Sequence, residues 1–125
     1  EMFEARDGRV LVNELAMRPH NSGHFSIEGS VTSQFEQHLR AVADLPLGDT
    51  SMTAPAAVMV NVLGGPAEGP MPVRYPEVLA AHPRAKLHSY DKLPRPGRKV
   101  GHVTVTGDDL GAVRSEAQAA AAAFE

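Results

Sequence analysis

Short runs of branched apolar residues predict β-strands in the second half of the chain. Ala57–Leu63 is apolar apart from Asn61, and glycine and proline residues end the run, so it predicts a buried strand. Lys86–Tyr90 and Val100–Thr106 predict two further strands, joined by a basic segment that is rich in proline. Together these three segments predict a small β-sheet.

Apolar residues at helical spacing predict three helices beside this sheet. A helix over about Gln34–Asp44 begins with Ser33 and Glu36 at the spacing of a capping box. Tyr75–Ala81 predicts a short helix, and Asp108–Phe124 predicts an amphipathic helix with acidic residues at its start. The mixture of helices and strands predicts an α+β fold.

The start of the chain predicts a β-hairpin that brings two carboxylates together. Asp7 and Gly8 stand between two short extended segments, which is a strong signal for a two-residue turn. A turn of that length pairs Glu1 with Glu14 on neighbouring strands. Directly opposed like charges are destabilising unless another group compensates them, and a divalent cation such as Mg²⁺ compensates them well. Two glutamates that simply point into water are the alternative.

The polar segment after the hairpin predicts a loop that binds an anionic substrate. Arg18 offers a planar fork of donors, and His20, Asn21 and Ser22 add further polar groups. His20 and His24 are four residues apart, as zinc ligands on a helix can be, but the neighbouring proline and glycine oppose a helix there. Ser22 lacks the strand-turn-helix motif of a nucleophilic serine. Anion binding is therefore the favoured interpretation.

A second candidate for anion binding is the basic segment before the last predicted strand. It carries Lys92, Arg95, Arg98 and Lys99, and its prolines and glycine keep it in a loop. These cations suit a terminal phosphate, although composition alone equally allows a solvated basic loop. The histidines outside the two loops are interpreted as structural or surface residues.

Composition narrows the classes of function. The 125 residues carry a formal net charge of -3, so neither nucleic acid nor an anionic membrane is expected as a partner. The sequence contains no cysteine. No apolar stretch is long enough to span a bilayer. The lack of cysteine excludes disulfides and thiolate chemistry and favours the cytoplasm. Because the chain opens with what reads as the middle of a strand, we expect further sequence before Glu1.

Three segments of the chain are long and distinctive. Asn13–His24 reads NELAMRPHNSGH, Thr32–Arg40 reads TSQFEQHLR, and Arg95–His102 reads RPGRKVGH. These segments resemble the 5-(carboxyamino)imidazole ribonucleotide synthase family, which belongs to the ATP-grasp superfamily. The resemblance covers most of the chain and is weakest over the final helix.

The resemblance implies an ATP-dependent ligase of purine biosynthesis. Residues 1–45 are expected to end an ATP-grasp domain, and residues 46–125 to form a small, mostly antiparallel β carboxy-terminal domain with flanking helices. In this family ATP and bicarbonate give carboxyphosphate, and the exocyclic amine of 5-aminoimidazole ribonucleotide is then carboxylated. A cytoplasmic homodimer is implied, and the 125 residues alone are expected to be inactive.

The resemblance also implies roles for individual residues. Glu1 and Glu14 match the glutamates that bind Mg²⁺ at the ATP phosphates, which agrees with the predicted hairpin, and Asn13 joins Glu14 on the ATP side. Arg18 matches a catalytic residue at the carboxyphosphate that also contacts substrate. The other implied substrate-binding residues are His20, Asn21, Ser22, Lys92, Arg98 and Lys99.

Other readings of the sequence remain open. Ala16 stands where other ATP-grasp families carry a metal-binding asparagine, which favours the synthase over biotin carboxylase. Formate-dependent glycinamide ribonucleotide transformylase shares an Arg-Pro-His loop, but usually continues it with Asp-Thr-Gly where this chain has Asn21, Ser22 and Gly23. Met17 and Phe25 depart from the proline and tryptophan of many synthases without removing a required charge. A non-catalytic phosphate-binding module is the remaining alternative.

Overall fold

The computed structural model of the protein describes residues 1–124 and confirms the predicted α+β fold. A two-stranded hairpin is followed by helices and then by a three-stranded antiparallel sheet. Within this part of the chain, no helix is long and apolar enough to cross a membrane. The strands are β1 (Met2–Glu4), β2 (Val10–Val12), β3 (Ala56–Leu63), β4 (Lys86–Ser89) and β5 (Lys99–Gly107). The α-helices are α1 (Ser26–Gly29), α2 (Gln34–Val42), α3 (Tyr75–Ala81) and α4 (Leu110–Ala122).

The hairpin of β1 and β2 forms as predicted, but its register differs by one residue. Its loop is the three-residue segment Arg6–Gly8, in which Gly8 has a left-handed backbone with φ of 82°. A left-handed residue at the end of a three-residue loop suits the right-handed twist of paired strands. Glu1 therefore lies opposite Asn13, and the predicted pairing of Glu1 with Glu14 is wrong.

The central strand of the larger sheet is β5, which lies between β3 and β4. Val103 and Val105 of β5 are buried and belong to the same hydrophobic core as Val113 of α4. The strand β3, predicted to be buried, is an edge strand with mostly half-buried residues. A continuous apolar run does not distinguish a buried central strand from an edge strand, because an edge strand also packs one face against a helix.

All three predicted helices form. The hydroxyl of Ser33 caps α2 by accepting a hydrogen bond of 3.2 Å from the backbone N–H of Glu36. In a capping box, the carboxylate of Glu36 would accept a hydrogen bond from the backbone N–H of Ser33. Here it accepts a hydrogen bond of 2.6 Å from Arg40 instead. The helix ends at Val42, before its predicted end, and Asp44 beyond it has a left-handed φ of 53°.

The sheet separates an apolar layer from a polar one. Successive side chains of a strand point to opposite faces, so His102 and Thr104 point away from the face that Val103 and Val105 present to α4. Asn61 and His88 are the cross-strand partners of His102 and therefore share its face. The helix α1 contacts β3 and β5. The loop that joins β2 to α1 supplies most of the predicted site residues.

Candidate functional site

A cleft of about 640 Å³ lies where the loop after β2 meets the sheet. It brings together most of the residues that the sequence predicts for the site. The edge strand β3 contributes Ala57, Met59 and Asn61, which sequence reasoning missed because the pattern of β3 does not reveal which face meets the loop. The predicted residues that line the cleft are Glu1, Glu14, Arg18, His20, Asn21, Ser22 and Lys99.

The two glutamates converge even though the hairpin does not pair them. The ligand atoms of Glu1, Glu14 and His20 all lie within 4.8 Å of one another. Beyond β2, the backbone nitrogen of Glu1 donates a hydrogen bond to the Glu14 carbonyl at 2.8 Å, which keeps Glu14 beside Glu1. Asn13 contributes from its place opposite Glu1, because its side-chain amide donates a hydrogen bond to the Glu1 carboxylate. Two carboxylates with a shared focus are a donor set that fits Mg²⁺.

The ring of His20 is oriented by contacts at both of its nitrogens. Its Nε2 lies 2.7 Å from a carboxylate oxygen of Glu14, and its Nδ1 lies 2.8 Å from the hydroxyl of Ser22. Its backbone is held by Gln34 of α2, whose side chain accepts from the His20 N–H at 3.0 Å and donates to the His20 carbonyl at 2.6 Å. Gln34 was not predicted, since its local signal indicated only a helix start.

Two cations line the cleft from different segments of the chain. The guanidinium of Arg18 donates through Nη1 to the Pro19 carbonyl at 3.0 Å, which uses one of its five N–H donors. Lys99, at the start of β5, donates through Nζ to the side-chain oxygen of Asn21 at 3.2 Å. The cleft therefore contains both carboxylates and basic groups.

The remaining residues of the basic segment do not line this cleft. The ammonium of Lys92 lies 5.4 Å from the centre of the Tyr90 ring, in a cation–π geometry. Arg98 directs Nη1 towards the carbonyl of Leu93 at 3.5 Å. Of the three predicted phosphate ligands in this segment, only Lys99 lines the cleft.

A buried cluster adjoins the cleft, and sequence reasoning did not include it in the site. His102 is 1% exposed and stacks on His88 with a centroid distance of 4.4 Å. Its Nδ1 lies 2.8 Å from the hydroxyl of Tyr90, while His88 lies 2.6 Å from a carboxylate oxygen of Glu28. Burial, followed by the nearby charges of His88 and His24, lowers the pKa of His102 to about 4. The sequence shows histidines within apolar strands, but only the register reveals that they stack.

The sequence matches two known families over separate parts of the chain. Residues 57–116 match the family described as phosphoribosylaminoimidazole carboxylase C-terminal domain, and residues 1–35 match the ATP-grasp domain. The N5-carboxyaminoimidazole ribonucleotide synthase of Mycobacterium leprae is 57% identical over 114 residues, which is 87% of this chain and 26% of that protein. The chain thus spans about a quarter of the length of this relative.

Solved structures share the same fold. The N5-carboxyaminoimidazole ribonucleotide synthetase of Thermotoga maritima has a TM-score of 0.80 at 45% identity, over 99% of this chain and 35% of that chain. The N5-carboxyaminoimidazole synthase of Aspergillus clavatus, in complex with ADP and 5-aminoimidazole ribonucleotide, has a TM-score of 0.77 at 37% identity, over 98% of this chain and 33% of that chain. The chain therefore belongs to the N5-carboxyaminoimidazole ribonucleotide synthase family and matches the carboxy-terminal part of its members.

Proposed function

We propose that this chain forms the metal and ribonucleotide side of a ligase that carboxylates 5-aminoimidazole ribonucleotide. ATP and bicarbonate give carboxyphosphate and ADP, and the exocyclic amine of the ribonucleotide then takes the carboxyl group as phosphate is released. The observation that carries the proposal is the convergence of Glu1 and Glu14 in a cleft that also contains Arg18 and Lys99. The Aspergillus clavatus relative, solved with ADP and the ribonucleotide, supports it.

The carboxylates of the cleft are assigned to the ATP phosphates. Glu1 and Glu14 would hold Mg²⁺, and Asn13 keeps the Glu1 carboxylate in place through its hydrogen bond. When bound, Mg²⁺ neutralises phosphate charge and orients the transferred group. His20, fixed between Glu14 and Ser22, connects the Glu14 carboxylate to the substrate loop.

The basic groups of the cleft are assigned to carboxyphosphate and the ribonucleotide. Arg18 is proposed as the catalytic residue, because a guanidinium can stabilise the negative charge that develops on carboxyphosphate oxygens. His20, Asn21, Ser22 and Lys99 are proposed to contact the ribonucleotide. Lys92 and Arg98 lie outside the cleft lining. We propose that they reach the ribonucleotide phosphate only if their loop closes over it.

The organisation of the protein is also proposed from the family. We assign residues 1–45 to the end of an ATP-grasp domain and residues 46–125 to the small carboxy-terminal domain, consistent with the order of the two family matches. A homodimer follows from the family resemblance. A cytoplasmic location is supported by the cysteine-free sequence and by the purine biosynthesis pathway.

The experiment uses a protein of the relatives' full length that contains this chain. ATP consumption should depend on both the ribonucleotide and bicarbonate, and Glu14→Gln should lower turnover by about 100-fold because a ligand charge is lost. Glu4→Gln, an exposed glutamate of β1, is the matched control and should leave turnover unchanged. Turnover with formate and glycinamide ribonucleotide would show that the protein is a transformylase instead. Ligand binding without ATP consumption would make it a binding module.

A further inference from the structure

We infer that Tyr90 is a positioning residue that fixes the side chain of Asn21, and with it Lys99, through a hydrogen-bond chain ending at His102. Tyr90 does not line the cleft, so it acts through Asn21, which does. The identity of the ligand that Asn21 and Lys99 bind rests on the proposed function. The hydrogen-bond chain itself stands on the geometry of the protein.

The contacts run in one sequence from the cleft into the protein. The side-chain oxygen of Asn21 accepts from Lys99 at 3.2 Å, and its Nδ2 donates to the Tyr90 hydroxyl at 3.4 Å. The hydroxyl lies 2.8 Å from Nδ1 of His102. An ammonium can only donate hydrogen bonds, so the oxygen of the Asn21 amide must face Lys99 and its nitrogen must face Tyr90. The two contacts together fix the orientation of the amide.

The hydrogen bond between Tyr90 and His102 forms with either neutral tautomer of the ring. Burial keeps the ring neutral near pH 7, so one of its nitrogens carries a proton and the other is an acceptor. The Tyr90 hydroxyl can donate to Nδ1 or accept from it, and in both cases it keeps a lone pair for the Asn21 amide. Among the described residues Nε2 of His102 has no hydrogen-bond partner, so the ring meets the hydrogen-bond chain through Nδ1.

His102 is a fixed end for the hydrogen-bond chain because its ring is also held by stacking on His88. Its ring is stacked on His88 at an interplanar angle of 15°, and the two residues are direct cross-strand partners. His88 in turn contacts the carboxylate of Glu28 on α1 at 2.6 Å. The position of the Tyr90 hydroxyl is thus set by α1, β4 and β5 together.

Loss of the Tyr90 hydroxyl should leave the Asn21 amide free to rotate and Lys99 without a fixed partner. A neutral hydrogen bond has a net value of about 0.5–1.5 kcal/mol, which corresponds to about a 2- to 13-fold change in an equilibrium constant. We therefore expect Tyr90→Phe to raise the Michaelis constant for the ribonucleotide by about 5-fold. The Michaelis constant for ATP should not change, since Asn21 and Lys99 are assigned to the ribonucleotide and not to ATP.

The chain offers a matched control in its other tyrosine. Tyr75 is also partly buried, but it packs against Phe124 in the hydrophobic core, with ring centroids 6.2 Å apart. Tyr75→Phe removes an equivalent hydroxyl and should leave both Michaelis constants unchanged. Both variants should be made in a protein of the relatives' full length. Equal effects of Tyr90→Phe and Tyr75→Phe on the ribonucleotide would overturn the inference.

A double-mutant cycle separates action through Asn21 from a general structural effect. If Tyr90 acts through Asn21, then Tyr90→Phe should have no further effect on the Michaelis constant in an Asn21→Ala background. Full additivity of the two substitutions would show that Tyr90 acts by another route and would also overturn the inference. The cycle needs no assumption about the size of either single effect.

A spectroscopic measurement tests the same hydrogen-bond chain without an assay of enzyme turnover. In the wild-type protein, ¹⁵N NMR should show a neutral His102 ring with a hydrogen-bonded Nδ1, and Tyr90→Phe should shift both this signal and the side-chain amide of Asn21. An Asn21 amide signal that is indifferent to Tyr90→Phe would refute the inference. If the wild-type protein does not turn over the ribonucleotide, the proposed function fails, and the NMR result alone decides the role of Tyr90.

Discussion

Acidification is expected to destabilise the sheet through the buried ring of His102. Its pKa in the folded protein is lowered from the usual 6.5 to about 4, first by burial and then by the charges of His88 and His24. The unfolded chain therefore takes up the proton at a higher pH than the folded protein does. The stability that the neutral ring preserves is present above pH 6.5 and is lost as the pH falls towards 4.

The size of this effect follows from the difference between the two pKa values. A shift from 6.5 to about 4 corresponds to about 3 kcal/mol in total, at about 1.4 kcal/mol for each unit. Most of it is already expressed at pH 5, where the linkage relation gives a loss of about 2 kcal/mol relative to pH 7. His24, whose pKa is also lowered by burial first, adds to the loss in the same direction.

The assay is amide hydrogen exchange of β5, read at Val103 and Val105 and corrected for the intrinsic pH dependence of exchange. Between pH 7 and pH 5 the opening free energy of these amides should fall by about 2 kcal/mol more in the wild type than in His102→Gln. The substitution His38→Gln removes an exposed histidine of α2 and should behave as the wild type does. Equal pH dependence in His102→Gln and the wild type would refute the reasoning.

Three further predictions test other parts of the structure. Arg18→Lys keeps the charge but loses the planar fork, so turnover should fall by about 10- to 100-fold with unchanged hydrogen exchange, and a normal rate would rule out a bidentate role. Lys99→Ala should raise the Michaelis constant of the ribonucleotide more than that of ATP, and more than Lys92→Ala does; small, equal effects of both would indicate a solvated basic loop. Phe124→Ala empties a fully buried position and should cost about 3–5 kcal/mol of opening free energy in β5, without a change in either Michaelis constant if the cleft is independent of the core.

Local patterns in the sequence were sufficient for most of the secondary structure. The capping spacing at Ser33 located the start of α2, and the run of branched residues around Val103 located β5. These features are local because a helix cap and a strand pattern depend on residues only a few positions apart. What local patterns could not give was the order of the strands, so β3 was predicted to be buried although it lies at an edge.

The site residues that belong to a sequence motif could be predicted. Those whose positions depend on the register between paired strands could not. The Arg18–Ser22 loop and Glu14 were identified from the sequence, and the structure places them in one cleft. The hairpin shows the limit, because Asp7 and Gly8 occur in loops of two and of three residues, and the choice shifts every pair of the ladder. The contact between His102 and Tyr90 depends on tertiary packing that no short window contains.

The alternation of β5 makes the strand more tolerant of substitution than of a change in length. Each position serves one of two neighbours: Val103 and Val105 fill the space under α4, whereas His102 and Thr104 complete the polar layer. Inserting or deleting one residue inside β5 would exchange the two sets, placing a histidine in the core and a valine behind the cleft. We therefore expect single insertions here to abolish folding and ligand binding together, whereas conservative point substitutions affect one or the other.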